Sequence, residues 1–317
     1  MTKTFNAHST SDEVLAGINL HGKRFFITGA SAGLGVETAR ALVAHGADVV
    51  GAVRNLEKTK AATANVREAA KTNGGSFTLV ELDLANLASV RTCADQMLAD
   101  KRKFDVIIAN AGVMATPFRH TQDGFEIQFG TNHLGHFLLV NRMAPLIVDG
   151  GRVVTLSSAG HRLSDVDLQD PNFEHTEYDP WLAYGRSKTA NALFAVEFDR
   201  RRRDRDVRAC SVMPGAINTE LGRDVDEATY QSLLGSMKRA NAPALTYKTI
   251  PQGAATTLWA AVTAKAEEIG GQYCEDCGVA PITPGESIRY GAMAYALDPT
   301  NAEKLWAKSE EMVGERF

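Results

Sequence analysis

Cysteine is scarce in this sequence. Four residues, Cys93, Cys210, Cys274 and Cys277, are spread through 317, too few and too scattered for a disulfide framework. No apolar run approaches the ~18 residues that a membrane-spanning helix needs. The opening stretch MTKTFNAHSTSDEVLAGINL lacks the apolar centre of a secretory signal. An excess of either charge is missing too. The balance of 34 basic against 38 acidic residues leaves a net charge of −4, which gives no electrostatic footing for nucleic acid. The one basic run, Arg200 to Arg203, is diluted by Asp204 and Asp206 and reads as a solvated helix end. Paired metal ligands are few as well. Cys274 and Cys277 form a C-x-x-C and His133 and His136 an H-x-x-H, but each pair supplies only two ligands, so no metal site is expected. A cytoplasmic protein without a membrane anchor is the expectation.

What is present is a regular alternation. The apolar runs RFFIT (24–28), ADVVGAV (47–53), FTLVEL (77–82), FDVIIA (104–109), RVVTLS (152–157), VRACSVM (207–213) and GGQYC (270–274) read as strands, separated by helix-like segments. The longest segment, about 121–148, reads as a helix interrupted by glycines and Pro145. Unbroken apolar strands alternating with helices predict an α/β chain, doubly wound, with a mostly parallel sheet covered on both faces. No linker rich in Pro, Gly or Ser divides the chain. A single domain over 1–317 is expected, with a core at 20–275 and terminal extensions at 1–19 and 298–317.

TGASAGLG (28–35) lies between the first strand and the first helix. Its glycines, Gly29, Gly33 and Gly35, do not have G-x-G-x-x-G spacing. The location is nevertheless that of a phosphate cradle, where a helix N-terminus offers free N–H groups to an anion. The second strand ends Ala52-Val53-Arg54, without the acid that would accept a ribose hydroxyl. Arg54 can pair with a 2′-phosphate instead, and Ser31 can donate a further hydrogen bond. Both favour NADP(H) over NAD(H).

Tyr184 and Lys188 stand four apart, on one face of a helix. A tyrosine titrates near pH 10, and a neighbouring ammonium is expected to lower that value, making Tyr184 an acid/base at a carbonyl or alcohol. Ser158, just past the strand 152–157, can hydrogen-bond the substrate oxygen, with Ser157 the competing candidate. His161, three residues beyond Ser158, is more a structural polar residue than a substrate contact.

TGASAGLG, IANAG (108–112), the serine pair 157–158, YGRSK (184–188) and PGAINT (214–219) together resemble the short-chain dehydrogenase/reductase family, in that family's order. NHLGHFLLVN, GHR after the serines and the tail ALDPTNAEKLWAKSEEM are similar to its retinol dehydrogenase-like branch and bacterial relatives. The resemblance implies a Rossmann-type fold and a catalytic set of Asn132, Ser158, Tyr184 and Lys188. Within it Ser158 is the usual serine, Lys188 holds the nicotinamide ribose, and Asn132 binds a water that connects the lysine to solvent. It further implies cofactor contacts at Gly29, Ser31, Gly33, Leu34, Gly35 and Arg54; at Asp83 and Leu84 by the adenine; at Asn110, Ala111 and Gly112 by its ribose; and at Pro214, Gly215, Ile217 and Thr219 over the nicotinamide. Residues 161–182 are expected as a loop beside the site, and 220–250 as a substrate lid carrying Leu221, Tyr230, Leu233, Leu234 and Met237. The expected activity is NADP(H)-dependent oxidoreduction of a lipophilic alcohol, aldehyde or ketone by a homodimer or homotetramer, with a monomer as the alternative. A non-catalytic NADP(H)-binding regulator and a redox-neutral epimerase or dehydratase are the alternatives.

Overall fold

The structure, a computed structural model, describes residues 4–239, 246–283 and 290–317, with the backbone alone at 236–239. Its strands are β1 (Arg24–Thr28), β2 (Asp48–Val53), β3 (Ser76–Glu81), β4 (Phe104–Ala109), β5 (Ile147–Leu156), β6 (Arg208–Met213), β7 (Ala216–Ile217), β8 (Tyr247–Lys248), β9 (Tyr273–Glu275) and β10 (Gly278–Val279). Eight of them form one sheet in the order β10-β9-β6-β5-β4-β1-β2-β3, and β7 pairs with β8 separately. Every neighbouring pair in the large sheet is parallel except β9 with β10. This is the doubly wound, Rossmann-like architecture that the alternating pattern predicts.

The helices are α1 (Ser11–Leu15), α2 (Gly33–Val43), α3 (Leu56–Ala62), α4 (Ala64–Asn73), α5 (Leu87–Asp100), α6 (Ile127–Phe129), α7 (Gly135–Met143), α8 (Pro180–Arg202), α9 (Glu227–Arg239), α10 (Ile250–Leu258), α11 (Ala266–Ile269) and α12 (Pro299–Val313). Neighbouring residues of β1 point to opposite faces, as a strand requires. Phe26 joins a cluster with Val90, Leu138, Phe194 and Trp306 from α5, α7, α8 and α12. Phe25 and Ile27 join the other, with Leu15, Leu42, Val66 and Leu258 from α1, α2, α4 and α10. The apolar strands are continuous because both faces are covered.

Three sequence expectations are revised. The ends of the chain are not extensions beyond a 20–275 core. Leu15 and Trp306 are fully buried, and Glu315 bridges Arg91 and Arg142. The segment 121–148 is not one helix. It begins at Ile127, passes through one π-helical turn at Gly130–Leu134, and stops at Leu146 beyond Pro145, with Ile147 already in β5. The last parallel strand is Tyr273–Glu275 rather than 270–274, because Gly271 turns at φ +72°. The hairpin that follows has positive φ at both Asp276 and Cys277, so the C-x-x-C spans a tight turn.

β1 has β4 on one side and β2 on the other. Crossovers leave it in both directions, so the carboxyl ends of β1 and β4 flank the switch point where open α/β sheets bind ligands.

Candidate active site

A cleft of about 1330 Å³ runs along these carboxyl ends. Every residue assigned from sequence to catalysis or cofactor lines it, except Asn132. The glycine spacing has a direct steric reason. Gly29 turns at φ +73° as the chain leaves β1, a conformation that suits glycine. A Cβ on Gly35 would stand 2.2 Å from the Gly29 carbonyl oxygen, so the first turn of α2 folds directly over the loop. Asn110, at the end of β4, donates from Nδ2 to the carbonyl of Thr28 at 2.8 Å and fixes the loop from below. Ala32, the N-cap of α2, contributes no side-chain cap, and no acid lies in the first turn. Helices α3, α5, α8, α10 and α12 all have side-chain caps. The orphan N–H groups of α2 therefore remain available in the cleft, and these residues fit a dinucleotide pyrophosphate. Arg54 is exposed at the end of β2 and lines the same cleft. Thr219 closes over the loop from the far side, its Cγ2 3.3 Å from where a Gly33 Cβ would stand.

Tyr184 and Lys188 come from the first turns of α8, which Asp179 caps through the N–H groups of Trp181 and Leu182. Both side chains are buried. The Lys188 Nζ sits 5.5 Å from the centre of the Tyr184 ring and donates to the Leu156 carbonyl at 3.1 Å. The expectation that the lysine lowers the tyrosine is not met in this state. Burial pushes Tyr184 up to about 12, opposed only by a hydrogen bond from Ser158. Burial also pulls Lys188 down to about 8. Desolvation disfavours whichever form is charged, and it leads both shifts.

Both serines line the cleft, but their hydroxyls have different partners. Ser157 is buried, and its hydroxyl donates to the Lys188 carbonyl at 2.7 Å. It therefore secures β5 to α8. Ser158 lines the cleft, where its Oγ accepts from the Gly160 N–H at 3.0 Å and bonds Tyr184.

Asn132 is fully buried in the π-helical turn. Its Nδ2 donates to the Val113 carbonyl and to Ser187 Oγ, both at 2.9 Å, and its Oδ1 accepts from the Val113 N–H at 2.8 Å. These three bonds join the β4 loop to α8. Its backbone carbonyl meets His136 Nδ1 at 2.8 Å, and His136 Nε2 meets Thr28 Oγ1 at the same distance. A carbonyl only accepts, so the proton lies on Nδ1 and the Thr28 hydroxyl donates to Nε2. Thr28 Oγ1 then accepts from the N–H groups of Asn110 and Ala111. His133 points away, to Ser309. The H-x-x-H thus faces two directions, and no group of three or more His, Cys, Asp or Glu placed to hold a metal occurs among the described residues.

Sequence reasoning missed Gly160. A Cβ there would lie 2.7 Å from two ring carbons of Tyr184, so the ring reaches its place only across a bare backbone. Its signal, a glycine two residues after the serine pair, is visible only once the ring's location is known. Gly160→Ala is expected to lower kcat about 100-fold, since an ångström of displacement at a reacting group costs that much. Unchanged steady-state kinetics in the purified variant would remove Gly160 from the site. Trp181, expected in the loop 161–182 beside the site, lines the cleft from the first turn of α8. Its indole Nε1 donates to the Thr229 carbonyl at 2.9 Å, tying α8 to α9 in the segment expected as a lid. Residues 240–245 of that segment and the side chain of Met237 lie outside the described residues.

A doubly wound sheet with a glycine loop at the switch point, a serine past β5 and a Tyr/Lys pair on the next helix defines a class of nucleotide-dependent oxidoreductases. Residues 23–229 match the family model for short chain dehydrogenases. The chain is 41% identical to short-chain dehydrogenase/reductase prx1 of Penicillium roqueforti, covering 93% of this chain and 86% of the relative. It is 35% identical to human retinol dehydrogenase 14, covering 93% and 87%. The crystal structure of an uncharacterized protein from Mycobacterium paratuberculosis matches with a TM-score of 0.73 and 36% identity, covering 98% of this chain and 99% of that one. Angucycline C-6 ketoreductase LanV, solved with bound NADP, matches with a TM-score of 0.62 and 25% identity, over 81% and 95%. The chain belongs to the short-chain dehydrogenase/reductase family and is an oxidoreductase of that family, related to its retinol dehydrogenase-like branch. Among the described residues no helix is long and apolar enough to cross a membrane.

Proposed function

We propose that this chain is an NADP(H)-preferring alcohol dehydrogenase/carbonyl reductase acting on a lipophilic small molecule. The observation that carries the reading is the convergence of Ser158, Tyr184 and Lys188 on the cleft that also holds the uncapped start of α2. NADP(H), when bound, supplies or takes up the hydride. In the reductive direction the Tyr184 hydroxyl donates its proton to the carbonyl oxygen, and Ser158 holds that oxygen by a hydrogen bond. In the oxidative direction the phenolate of Tyr184 takes the proton back. Lys188 supplies positive charge beneath the tyrosine and grips the cofactor ribose. Asn132 and His136 keep the floor of the site rigid. Met114, Leu163, Trp181, Leu221 and Leu233 line the cleft, which supports an apolar substrate under a lid that carries Leu221 and Leu233. The NADP bound by the ketoreductase relative supports the cofactor choice.

The preference rests on Arg54, which makes no ion pair among the described residues. A carbonyl and alcohol panel run with both cofactors is expected to favour NADP(H) by about 10–100-fold in kcat/KM, the worth of one or two charge-assisted hydrogen bonds. Arg54→Ala should erase most of that ratio. Equal efficiency with both cofactors in the wild type would overturn the preference, and no turnover across the panel would overturn the activity.

A further inference from the structure

We propose that His161 is a positioning residue for Ser158, locking the serine's turn to the C-terminal segment around Met293 rather than contacting substrate. The imidazole is fully buried. Its Nδ1 lies 2.7 Å from the Ser158 carbonyl oxygen and its Nε2 3.1 Å from the Met293 N–H. A carbonyl accepts and an amide donates, so the proton resides on Nδ1 and the lone pair on Nε2. One neutral tautomer satisfies both bonds, and a cationic ring would lose the second. Burial agrees, pulling the residue down to about 4.

The grip is reinforced on both sides of the ring. The His161 carbonyl accepts from the Tyr295 hydroxyl at 2.7 Å. Arg162 Nη1 donates to Thr283 Oγ1 at 2.9 Å and to the Gly291 carbonyl at 3.0 Å. The turn that begins at Ser158 is therefore held by a segment more than a hundred residues further along the chain. Ser158 is held at its Oγ by the Gly160 N–H and at its carbonyl, which also accepts the His161 N–H, both at 3.0 Å. Loss of the imidazole bond leaves that carbonyl with the His161 N–H alone and loosens the peptide that sets Oγ beside Tyr184. The Ser158 bond is what draws the buried tyrosine down, so freeing it raises the pH at which the phenolate forms. The titratable groups facing the ring are Arg162 on its own turn, Tyr273 of β9 at 4.6 Å between ring centres, and Tyr295. Tyr184 and Lys188 lie beyond Ser158 on α8. None of these is altered by the test.

The inference rests on the proposed roles of Ser158 and Tyr184, and the experiment separates the two. His161→Phe keeps a ring against Tyr273 and loses both bonds. His161→Asn places an amide N–H near the old Nδ1. Met293→Pro removes only the donor to Nε2, at a φ of −78° that already suits proline. The readouts are kcat for alcohol oxidation against pH, NADPH Kd by fluorescence, and Tm. The expected result for His161→Phe is a kcat at least tenfold lower, a rising pH limb displaced upward, and NADPH Kd unchanged. His161→Asn should recover most of the loss, and Met293→Pro should fall between. A lowered Tm with kcat and pH profile unmoved, or equal losses in Asn and Phe, overturns the proposal. A wild type with no turnover overturns the reading beneath it and the proposal with it.

Discussion

Tyr184→Phe is expected to lose about 1000-fold or more in turnover while binding NADPH within two- to threefold of wild type. Proton transfer by a positioned group contributes on the order of 100–10,000-fold. The hydroxyl is the one atom removed from a buried ring that packs edge-on to Trp181 at 6.3 Å. The ring's shape is kept, so the fold and the glycine loop should be undisturbed. The wild-type pH dependence has a defined sign. Burial pushes the Tyr184 hydroxyl up to about 12, so the phenolate needed for oxidation grows with pH and the oxidative rate should climb through the alkaline range. The reductive rate needs the protonated form and should fall over the same range. Turnover surviving intact in the variant, with stopped-flow confirming normal cofactor binding, would take the acid/base role away from Tyr184.

Lys188→Met is expected to remove about 100-fold or more in turnover and at the same time raise thermal stability. The ammonium is buried with a carbonyl at 3.1 Å, and no salt bridge to it occurs among the described residues. A buried charge without a counter-ion costs folding free energy, and sites held for function commonly carry such a cost. Its pKa is pulled down to about 8 from the ordinary lysine value. Between there and about 10.4 the unfolded chain binds the proton that the folded chain has released. The penalty is thus complete below pH 8 and disappears as pH rises to the unfolded value. The gain in Tm, on the order of 3 °C, should be largest near neutrality and vanish at high pH. A Tm that falls at pH 7 would show that Lys188 supports the fold rather than straining it.

The architecture was legible because it is written locally. RFFIT and FDVIIA are strands to the residue, since short apolar runs rich in aromatic and β-branched residues fit a sheet covered on both faces. Elements set by distant contacts were less legible. The π-helical turn at Gly130–Leu134 is fixed by Asn132 clamping Val113 and Ser187, partners 19 and 55 residues away. Gly271 ending one segment and the hairpin at Asp276–Cys277 likewise depend on where β6 lies.

At the site, the sequence by itself determined which chemical groups are available: an α2 start without a capping side chain, a guanidinium where an acid would otherwise stand, and a tyrosine and lysine one helical turn apart. Spacing along one helix or one loop is enough for that. Only the tertiary structure decided their state and their neighbours. It gave the hydroxyls of Ser157 and Ser158 different partners, buried His161 against the Ser158 carbonyl, and set Tyr184 against Gly160. It also reversed the expected direction of the tyrosine's shift, because burial is contributed by every element packed around a group and no segment of sequence states it alone.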